Sequence, residues 1–308
     1  MSFLPLLVLT LLQPSATASK DKPTYDSFPD VTYLEIDGVK LQFDLVVPQG
    51  EGPFPVVLCF HGGAWIAGNR KDLTKPALFN PGGHDGKHDF SVLENLAKNG
   101  YAAASVSYRL APKAKFPAQI EDCKAAVKFL RKNAKTYKID SDRIGAMGFS
   151  AGAHLAALLG VCTKDAGFEG KTLPDVSSEV HCVVDYFGPT DLTLYSESTE
   201  ITKMLVPFLG KEAATDTTVM KKASPIHYVH KQAPPFLIIH GTVDLIVPYI
   251  HSEALRKKLK EVDVTCELVP VSWKGHGWED PKAVDFAAKA TMKFLDANLK
   301  NKKTDAKK

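Results

Sequence analysis

Short apolar runs alternate with longer helical patterns along most of the chain. The first two runs, Val31–Ile36 and Leu41–Val47, flank Asp37 and Gly38, a dipeptide that favours a tight turn between antiparallel strands. The next run, Pro55–Phe60, is continuously apolar, which is typical of a strand buried on both faces. The pattern therefore predicts a hairpin followed by buried strands.

Strand and helix patterns then follow one another. Further strands are predicted at Tyr101–Tyr108, Arg143–Gly148, Val180–Phe187, Pro235–His240 and Thr265–Val271. Helices are predicted at Ser91–Asn99, Ala118–Asn133, Ala151–Val161, Ser252–Glu261 and Lys282–Leu299. This order predicts an α/β fold: a mostly parallel central sheet with an antiparallel edge and helices on both faces.

Two segments interrupt this alternation. Leu73–Asp89 contains Asn80 and Pro81 followed by two glycines, and is predicted to be a surface loop. Leu192–Ala223 lies between a strand and the next helix–strand unit, and is predicted to be a small cap insertion over the site. Because no internal repeat or linker divides the chain, residues 19–299 are predicted to form one domain.

The N-terminus has the pattern of an export signal. The apolar run up to Leu12 is too short to span a bilayer, and Ala16 and Ala18 form a small-x-small cleavage pattern. We therefore expect a signal peptide over residues 1–18, a secreted or periplasmic protein and no stable membrane anchor. The alternative is a frayed or buried N-terminal helix.

Composition and charge further narrow the class of protein to which the chain can belong. The 308 residues are 44% apolar and 24% charged, as in soluble globular proteins. The net charge is +3, and Lys300–Lys308, with five lysines and one aspartate, holds +4 of it. This Lys-rich tail is predicted to be solvated, and no basic face indicates nucleic-acid binding. The five cysteines could form a bridge, whose pairing the sequence leaves open.

A nucleophile motif lies between a predicted strand and a predicted helix. Gly148 and Gly152 flank Ser150 in a G-x-S-x-G pattern. In such a strand–turn–helix, the small neighbours allow close backbone approach while the serine hydroxyl is lifted out of the sheet. Ser150 is therefore the candidate nucleophile.

A serine nucleophile needs a base and a group that orients the base. In this fold the chain order is serine, acid, histidine. Asp244 follows the strand that ends near His240, and His276 lies between two glycines after the next strand. Asp244 and His276 are the candidate acid and base, and Asp191 is the runner-up acid.

An oxyanion hole is predicted from the loop His61–Trp65, which follows the strand Pro55–Phe60. The backbone N–H groups of Gly63 and Ala64, together with that of Ala151, are the candidate donors. Trp65 and Trp278 could line the substrate pocket or belong to the core.

Other histidines favour structural interpretations. His61 and His154 are expected to brace the loops beside the motifs, and His240 to stabilise a turn. His84 and His88 have a spacing that could hold a metal, but nearby glycines favour a solvated loop. No cofactor or metal is predicted.

The chain resembles the esterase/lipase branch of the α/β-hydrolase superfamily, whose oxyanion loop carries an HGG motif. The stretches that carry the resemblance are His61–Trp65, Tyr108–Pro112, Phe116–Ala118, Ser150–His154, Ala223–Pro225 and Pro234–Pro248. They are similar to the group that contains bacterial acetylxylan and feruloyl esterases. The resemblance implies Ser150, Asp244 and His276 as nucleophile, acid and base.

The leading hypothesis is an exported serine carboxylic-ester hydrolase. It would act on short acyl or aryl esters, small molecules or acetyl or feruloyl esters of plant polysaccharide, without a cofactor. The alternatives are an arylformamidase or isoprenylcysteine methylesterase, which the motifs His61–Trp65 and Ser150–His154 also resemble, or a small-ester, lipase-like hydrolase. A non-catalytic hydrolase-like binding protein is a further alternative.

Overall fold

Eight strands form one sheet in the computed structural model, which describes residues 24–74, 91–195, 199–211, 216–278 and 280–300. The strands are β1 (Tyr25–Ile36), β2 (Val39–Pro48), β3 (Phe54–Phe60), β4 (Ala102–Val106), β5 (Ile139–Phe149), β6 (Cys182–Tyr186), β7 (Phe236–Gly241) and β8 (Cys266–Val271). Their order is β1-β2-β4-β3-β5-β6-β7-β8. Only the pairs β1–β2 and β2–β4 are antiparallel, so the predicted α/β fold is confirmed.

Seven α-helices are described. They are α1 (Val92–Lys98), α2 (Ala118–Lys132), α3 (Ala151–Val161), α4 (Thr199–Leu209), α5 (Thr217–Lys222), α6 (Ile250–Glu261) and α7 (Pro281–Leu295). A π-helical turn, Asp296–Lys300, continues α7. The first helix shows how the sequence sets such boundaries: the Ser91 hydroxyl accepts from the Glu94 N–H, and the Glu94 carboxylate accepts from the Ser91 N–H.

The alternation of side chains along β3 explains why this run is apolar throughout. Val56, Leu58 and Phe60 lie in the part of the core that contains α2 and α3. Val57 and Cys59 lie on the opposite face, in the core with α1 and α7. Each fully buried aliphatic or aromatic side chain contributes about 1.5–3 kcal/mol. Both faces of the sheet are therefore covered.

The strand β1 begins six residues before the predicted start. The register with β2 shifts between Phe28 and Val31, and Asp30 has a positive φ of 56°. The Asp30 N–H donates to the Asp44 carboxylate (2.8 Å) instead of continuing the ladder. This irregularity, next to Pro29, breaks the alternation by which a strand is recognised in sequence.

Two buried lysines share one carboxylate beside α2. Lys124 and Lys128, each with a side chain about 1% exposed, both pair with Glu169. The Ser178 hydroxyl also donates to Glu169 (3.0 Å). Burial alone would raise the pKa of Glu169, but hydrogen bonds from the two lysines outweigh it and lower this pKa to about 2. This ion cluster ties the segment around Glu169 to α2.

Several predictions fall on the ends and interruptions of the described chain. Residues 1–18, His84, His88 and nearly all of the loop Leu73–Asp89 lie outside the described residues. At the C-terminus, Lys300 differs from the solvated tail that was predicted, because its ammonium donates to the Asn99 carbonyl (2.7 Å) and pairs with Asp296 (2.8 Å). The rest of the tail is likewise outside the described part.

The five cysteines all lie in the described part of the chain, and each is a free thiol there. Four of them are buried among apolar side chains. Among the described helices, none has the length and apolarity needed to cross a membrane.

Candidate active site

The turn between β5 and α3 holds Ser150 in a strained backbone conformation. Its φ of +55° and ψ of −119° are unusual for a residue with a side chain. The Ser150 N–H donates to the Tyr186 carbonyl on β6 (2.9 Å), and its carbonyl accepts from the His154 N–H (3.0 Å). These bonds fix the turn from both sides, so the hydroxyl is held at the carboxyl end of the sheet.

The two glycines of the motif are required by close backbone contacts. A Cβ on Gly148 would lie 2.2 Å from the Gly152 carbonyl oxygen, and a Cβ on Gly152 would lie 2.1 Å from the Phe60 carbonyl oxygen. Real Cβ atoms do not approach backbone so closely. The predicted reason for the G-x-S-x-G spacing is therefore what the structure shows.

Three side chains from separate loops form one chain of hydrogen bonds. The His276 Nε2 lies 2.9 Å from the Ser150 Oγ, and the His276 Nδ1 lies 2.8 Å from the Asp244 Oδ2. Asp244 follows β7 and His276 follows β8, so both stand at the carboxyl edge of the sheet. The structure thus brings together the three residues predicted as nucleophile, acid and base.

The Asp244 carboxylate is fully engaged. Its Oδ1 accepts from the N–H groups of Ile246 and Val247, each at 2.9 Å, and its Oδ2 faces the imidazoles of His276 and His240. Burial alone would raise the pKa of Asp244. Hydrogen bonds from His240 and His276 outweigh this effect and hold the pKa well below its usual range. Asp244 is therefore ionised at neutral pH.

The predicted oxyanion loop packs directly against the serine turn. A Cβ on Gly62 would lie 3.5 Å from the Ser150 Cβ. Gly63, Ala64 and Trp65 all have positive φ, and the Gly63 carbonyl accepts from two N–H groups within the loop, which fixes its sharp turn. Ala151 is the first residue of α3. The assignment of these N–H groups as oxyanion donors stays a prediction.

Trp65 lies in the core rather than at an open pocket mouth. It is 4% exposed, and its indole N–H donates to the His154 Nδ1 (3.2 Å). Its ring stacks on Phe208 with a centroid distance of 4.2 Å. Phe208 belongs to α4, so part of the predicted cap segment packs behind the oxyanion loop.

His154 and His61 brace this region, as their positions in the sequence indicate. The His154 Nε2 lies 2.7 Å from the Ala223 carbonyl, so it donates there while its Nδ1 accepts from Trp65. Burial lowers the pKa of His154 to about 4, which keeps it neutral. His61 stacks on the Tyr108 ring (4.4 Å), and the Tyr108 hydroxyl donates to the His61 carbonyl (2.8 Å).

Trp278 also lies in the core. It is 5% exposed and packs against Phe187, with ring centroids 5.4 Å apart. Phe187 in turn contacts the His276 ring edge-on, at 4.9 Å. Phe187 was not a sequence candidate, yet it supports the base. The sequence left open whether Trp65 and Trp278 belong to the core or line the substrate pocket. Both are buried in the core, and a role in the substrate pocket stays a prediction.

The runner-up acid lies in a different network. Asp191 Oδ1 accepts from the Thr193 N–H (3.0 Å) and hydroxyl (2.6 Å), and lies 4.0 Å from the His227 Nε2. Asp185, on β6, accepts from the Gly188 N–H (2.7 Å), and burial raises its pKa to about 6. His276 is thus paired with Asp244.

Comparison with known proteins identifies the family. A model of the BD-FAE family matches residues 43–259, more than half of the chain. The chain belongs to the BD-FAE family. This assignment agrees with the resemblance to α/β-hydrolase esterases that the motifs carry. The matched span includes Ser150 and Asp244, whereas His276 lies beyond it.

Individual proteins that are similar to this chain are esterases. Esterase LipC of Mycobacterium tuberculosis is 30% identical over 233 residues, which are 74% of this chain and 54% of that protein. The chain thus spans about half the length of this curated relative. A truncated carbohydrate esterase from gut microbiota has 28% identity and a TM-score of 0.74, with 91% of this chain and 99% of that one covered. A bifunctional GH43-CE protein of Bacteroides eggerthii has 29% identity and a TM-score of 0.75, with 88% and 38% covered.

The arrangement can perform acyl transfer. It holds a hydroxyl nucleophile, an imidazole in contact with that hydroxyl and an ionised carboxylate that orients the imidazole. Within the described ranges, no group of three or more His, Cys, Asp or Glu residues is placed to hold a metal ion.

Proposed function

We propose that the protein is a serine carboxylic-ester hydrolase. The observation that carries this proposal is the continuous hydrogen-bonded chain from Ser150 through His276 to Asp244. The family assignment and the esterases among its relatives support it.

In the acylation half-reaction, the Ser150 oxygen attacks the ester carbonyl carbon while its proton moves to the His276 Nε2. The imidazolium is stabilised by Asp244 at 2.8 Å. The oxyanion donors that we assign are the backbone N–H groups of Gly63, Ala64 and Ala151. The carbon–oxygen bond to the leaving alcohol then breaks. The alcohol takes the proton from His276, which leaves an acyl-serine and a neutral base.

Deacylation repeats these steps with water. His276 removes a proton from water as the water oxygen attacks the acyl carbon. Collapse of the second tetrahedral intermediate returns the proton to the Ser150 oxygen and releases the carboxylic acid. The products are one acid and one alcohol, and no electrons are transferred.

For the substrate, we propose short acyl or aryl esters whose alcohol is bulky, such as acetyl or feruloyl esters of plant polysaccharide. The carbohydrate esterases among the structural relatives support this choice. Trp273 and Leu245, 83% and 88% exposed, flank the two loops that carry His276 and Asp244. The Trp273 N–H donates to the Thr242 hydroxyl (2.9 Å), which holds this residue beside the loop of Asp244. An exposed apolar rim next to a catalytic site suits a large leaving group.

We further propose that the protein is exported, which would give it access to such polymers. The support is the apolar run before residue 18 and its small-x-small pattern. N-terminal sequencing of protein recovered from the culture medium or periplasm tests this proposal. A new N-terminus near Ser19 is expected, and an intact Met1 on cell-retained protein would contradict it.

The activity is tested by acetate release from acetylated xylan and from 4-nitrophenyl acetate, with Ser150→Ala measured beside the wild type. We expect both substrates to be cleaved and both activities to be lost in the variant. Cleavage of the nitrophenyl ester alone would overturn the polysaccharide assignment and keep the esterase. If Ser150→Ala retained normal turnover, the mechanism would be wrong.

A further inference from the structure

A second histidine contacts the acid of the triad at the same carboxylate oxygen as the base. His240, the penultimate residue of β7, places its Nε2 3.1 Å from the Asp244 Oδ2 and 2.8 Å from the Val247 carbonyl. Its Nδ1 lies 2.6 Å from the Ser252 hydroxyl on α6. His240 and Ser252 are both fully buried. The sequence indicated only a turn-stabilising role for His240.

The partners determine which nitrogen carries the proton. The Asp244 carboxylate and the Val247 carbonyl can only accept, so the Nε2 of His240 must donate. In the neutral imidazole the Nδ1 then accepts from the Ser252 hydroxyl. Asp244 and Val247 therefore select this tautomer, and Ser252 supplies the hydroxyl donor that Nδ1 needs.

We propose that His240 is a positioning residue for the triad, with its ring anchored at Nδ1 by Ser252. This inference rests on the proposed hydrolase function. The Asp244 Oδ2 receives one N–H from His276 and shares the single Nε2–H of His240 with the Val247 carbonyl, while two backbone N–H groups hold Oδ1. With four donors the carboxylate has one orientation, which is the orientation that aligns His276 with Ser150.

The surroundings of His240 contain few other charges. Asp185 faces it from β6, His251 lies near it on α6, and Asp244 and His276 complete the group. Burial, together with the nearby His240, lowers the pKa of His251 to about 4, so His251 is neutral. The rings of Phe187 and Tyr249 lie edge-on to the His240 ring, with centroid distances of 6.4 and 5.6 Å.

Loss of the His240 donor gives the carboxylate freedom to rotate, which misaligns His276. A misplacement of about 1 Å costs roughly 100-fold in rate.

Two amide variants separate this effect from simple packing. In His240→Gln the side-chain nitrogen can occupy the place of the imidazole Nε2, so the donor to Asp244 is kept. In His240→Asn the amide is one bond shorter and reaches only the position of Nδ1, toward Ser252. Both replacements are neutral and polar.

The experiment measures kcat and KM for 4-nitrophenyl acetate, with active sites counted by complete fluorophosphonate labelling. We expect kcat of His240→Asn to fall about 30- to 100-fold with KM within about twofold. His240→Gln is expected within about threefold of wild type in both constants. Equal losses of kcat in the two variants, or a loss that appears in KM instead of kcat, would overturn the proposal.

Ser252→Ala keeps the test decisive if His240→Asn fails to fold. It removes only the donor to the His240 Nδ1, and we expect a smaller loss of kcat, about three- to tenfold, with KM within about twofold. A wild-type kcat for Ser252→Ala would contradict the proposed role of Ser252. An inactive wild-type protein that takes up no fluorophosphonate would instead refute the hydrolase function itself.

Discussion

Replacement of Asp244 by asparagine removes one acceptor from a site where every partner is a donor. The carboxylate accepts from the N–H groups of Ile246 and Val247 at one oxygen and from His276 and His240 at the other. An amide offers one oxygen and one NH₂ group. In Asp244→Asn the NH₂ group must therefore face either the two backbone N–H groups or the two imidazoles.

Both orientations damage the site. With the NH₂ group on the backbone side, two N–H groups lose their acceptor, and the buried one, that of Val247, costs about 1–3 kcal/mol. With the NH₂ group on the imidazole side, it donates to the His276 Nδ1, so the His276 proton moves to Nε2, which then faces the Ser150 hydroxyl. That tautomer cannot accept the serine proton. In serine proteases the corresponding change lowers kcat by about 10⁴, which is about 5.4 kcal/mol of transition-state stabilisation.

The assay is the steady-state hydrolysis of 4-nitrophenyl acetate, with the rate of fluorophosphonate labelling as a second reading. We expect Asp244→Asn to lower both by three to four orders of magnitude. Asp191→Asn is the matched control, since the amide oxygen can still accept from Thr193, and it is expected within about twofold of wild type. The reasoning is refuted if Asp244→Asn stays within tenfold of wild type, or if Asp191→Asn loses as much.

Three further predictions concern packing and stability. Glu169→Gln should lower the free energy of unfolding by about 3 kcal/mol in urea titrations, because it leaves two buried lysines without a counter-ion. Since the pKa of Glu169 is lowered to about 2, its contribution to the free energy of unfolding is complete above about pH 4.5 and is lost as the pH falls toward 2. An acid transition that is the same in the wild type and in Glu169→Gln would contradict this. Gly152→Ala should give insoluble or inactive protein, because its Cβ would meet the Phe60 carbonyl at 2.1 Å, whereas Gly275→Ala has open space and should fold like wild type by circular dichroism. Thiol titration at pH 8 should be slow in the folded protein, where burial raises the pKa values of Cys59, Cys123 and Cys162, and should reach five per chain on unfolding; fewer than five without reductant would indicate a disulfide.

The strands were predictable because burial on both faces leaves a plain apolar run. The run Pro55–Phe60 became β3 with a shift of one residue at its start. The first strand was harder, since the bulge at Asp30 interrupts its alternation, and its first half could not be recognised. The end of the last helix was also misjudged: Asp296–Lys300 forms a π-helical turn, and its Lys300 returns to the Asn99 carbonyl. The sequence around Lys300 gives no indication that its ammonium will bind a carbonyl so distant in the chain.

The active site likewise has a part that the sequence predicted and a part that it did not. Ser150, Asp244 and His276 follow strand ends in the order that the fold requires, so the sequence placed them together. The sequence did not show in which direction the neighbouring side chains point. His240 continues an apolar strand, and only the turn after β7 shows that its ring meets Asp244. Phe187 lies two residues past Asp185 with a positive φ, and its contact with His276 depends on that turn.

The central claim is that Ser150 is an activated nucleophile. The most direct measurement is the intact mass and peptide map of the native protein after reaction with a fluorophosphonate. We expect one adduct per chain, located on Ser150, with ester hydrolysis lost in proportion to labelling and no adduct after denaturation before labelling. An unlabelled native protein, or an adduct on another residue that abolishes hydrolysis, would contradict the claim.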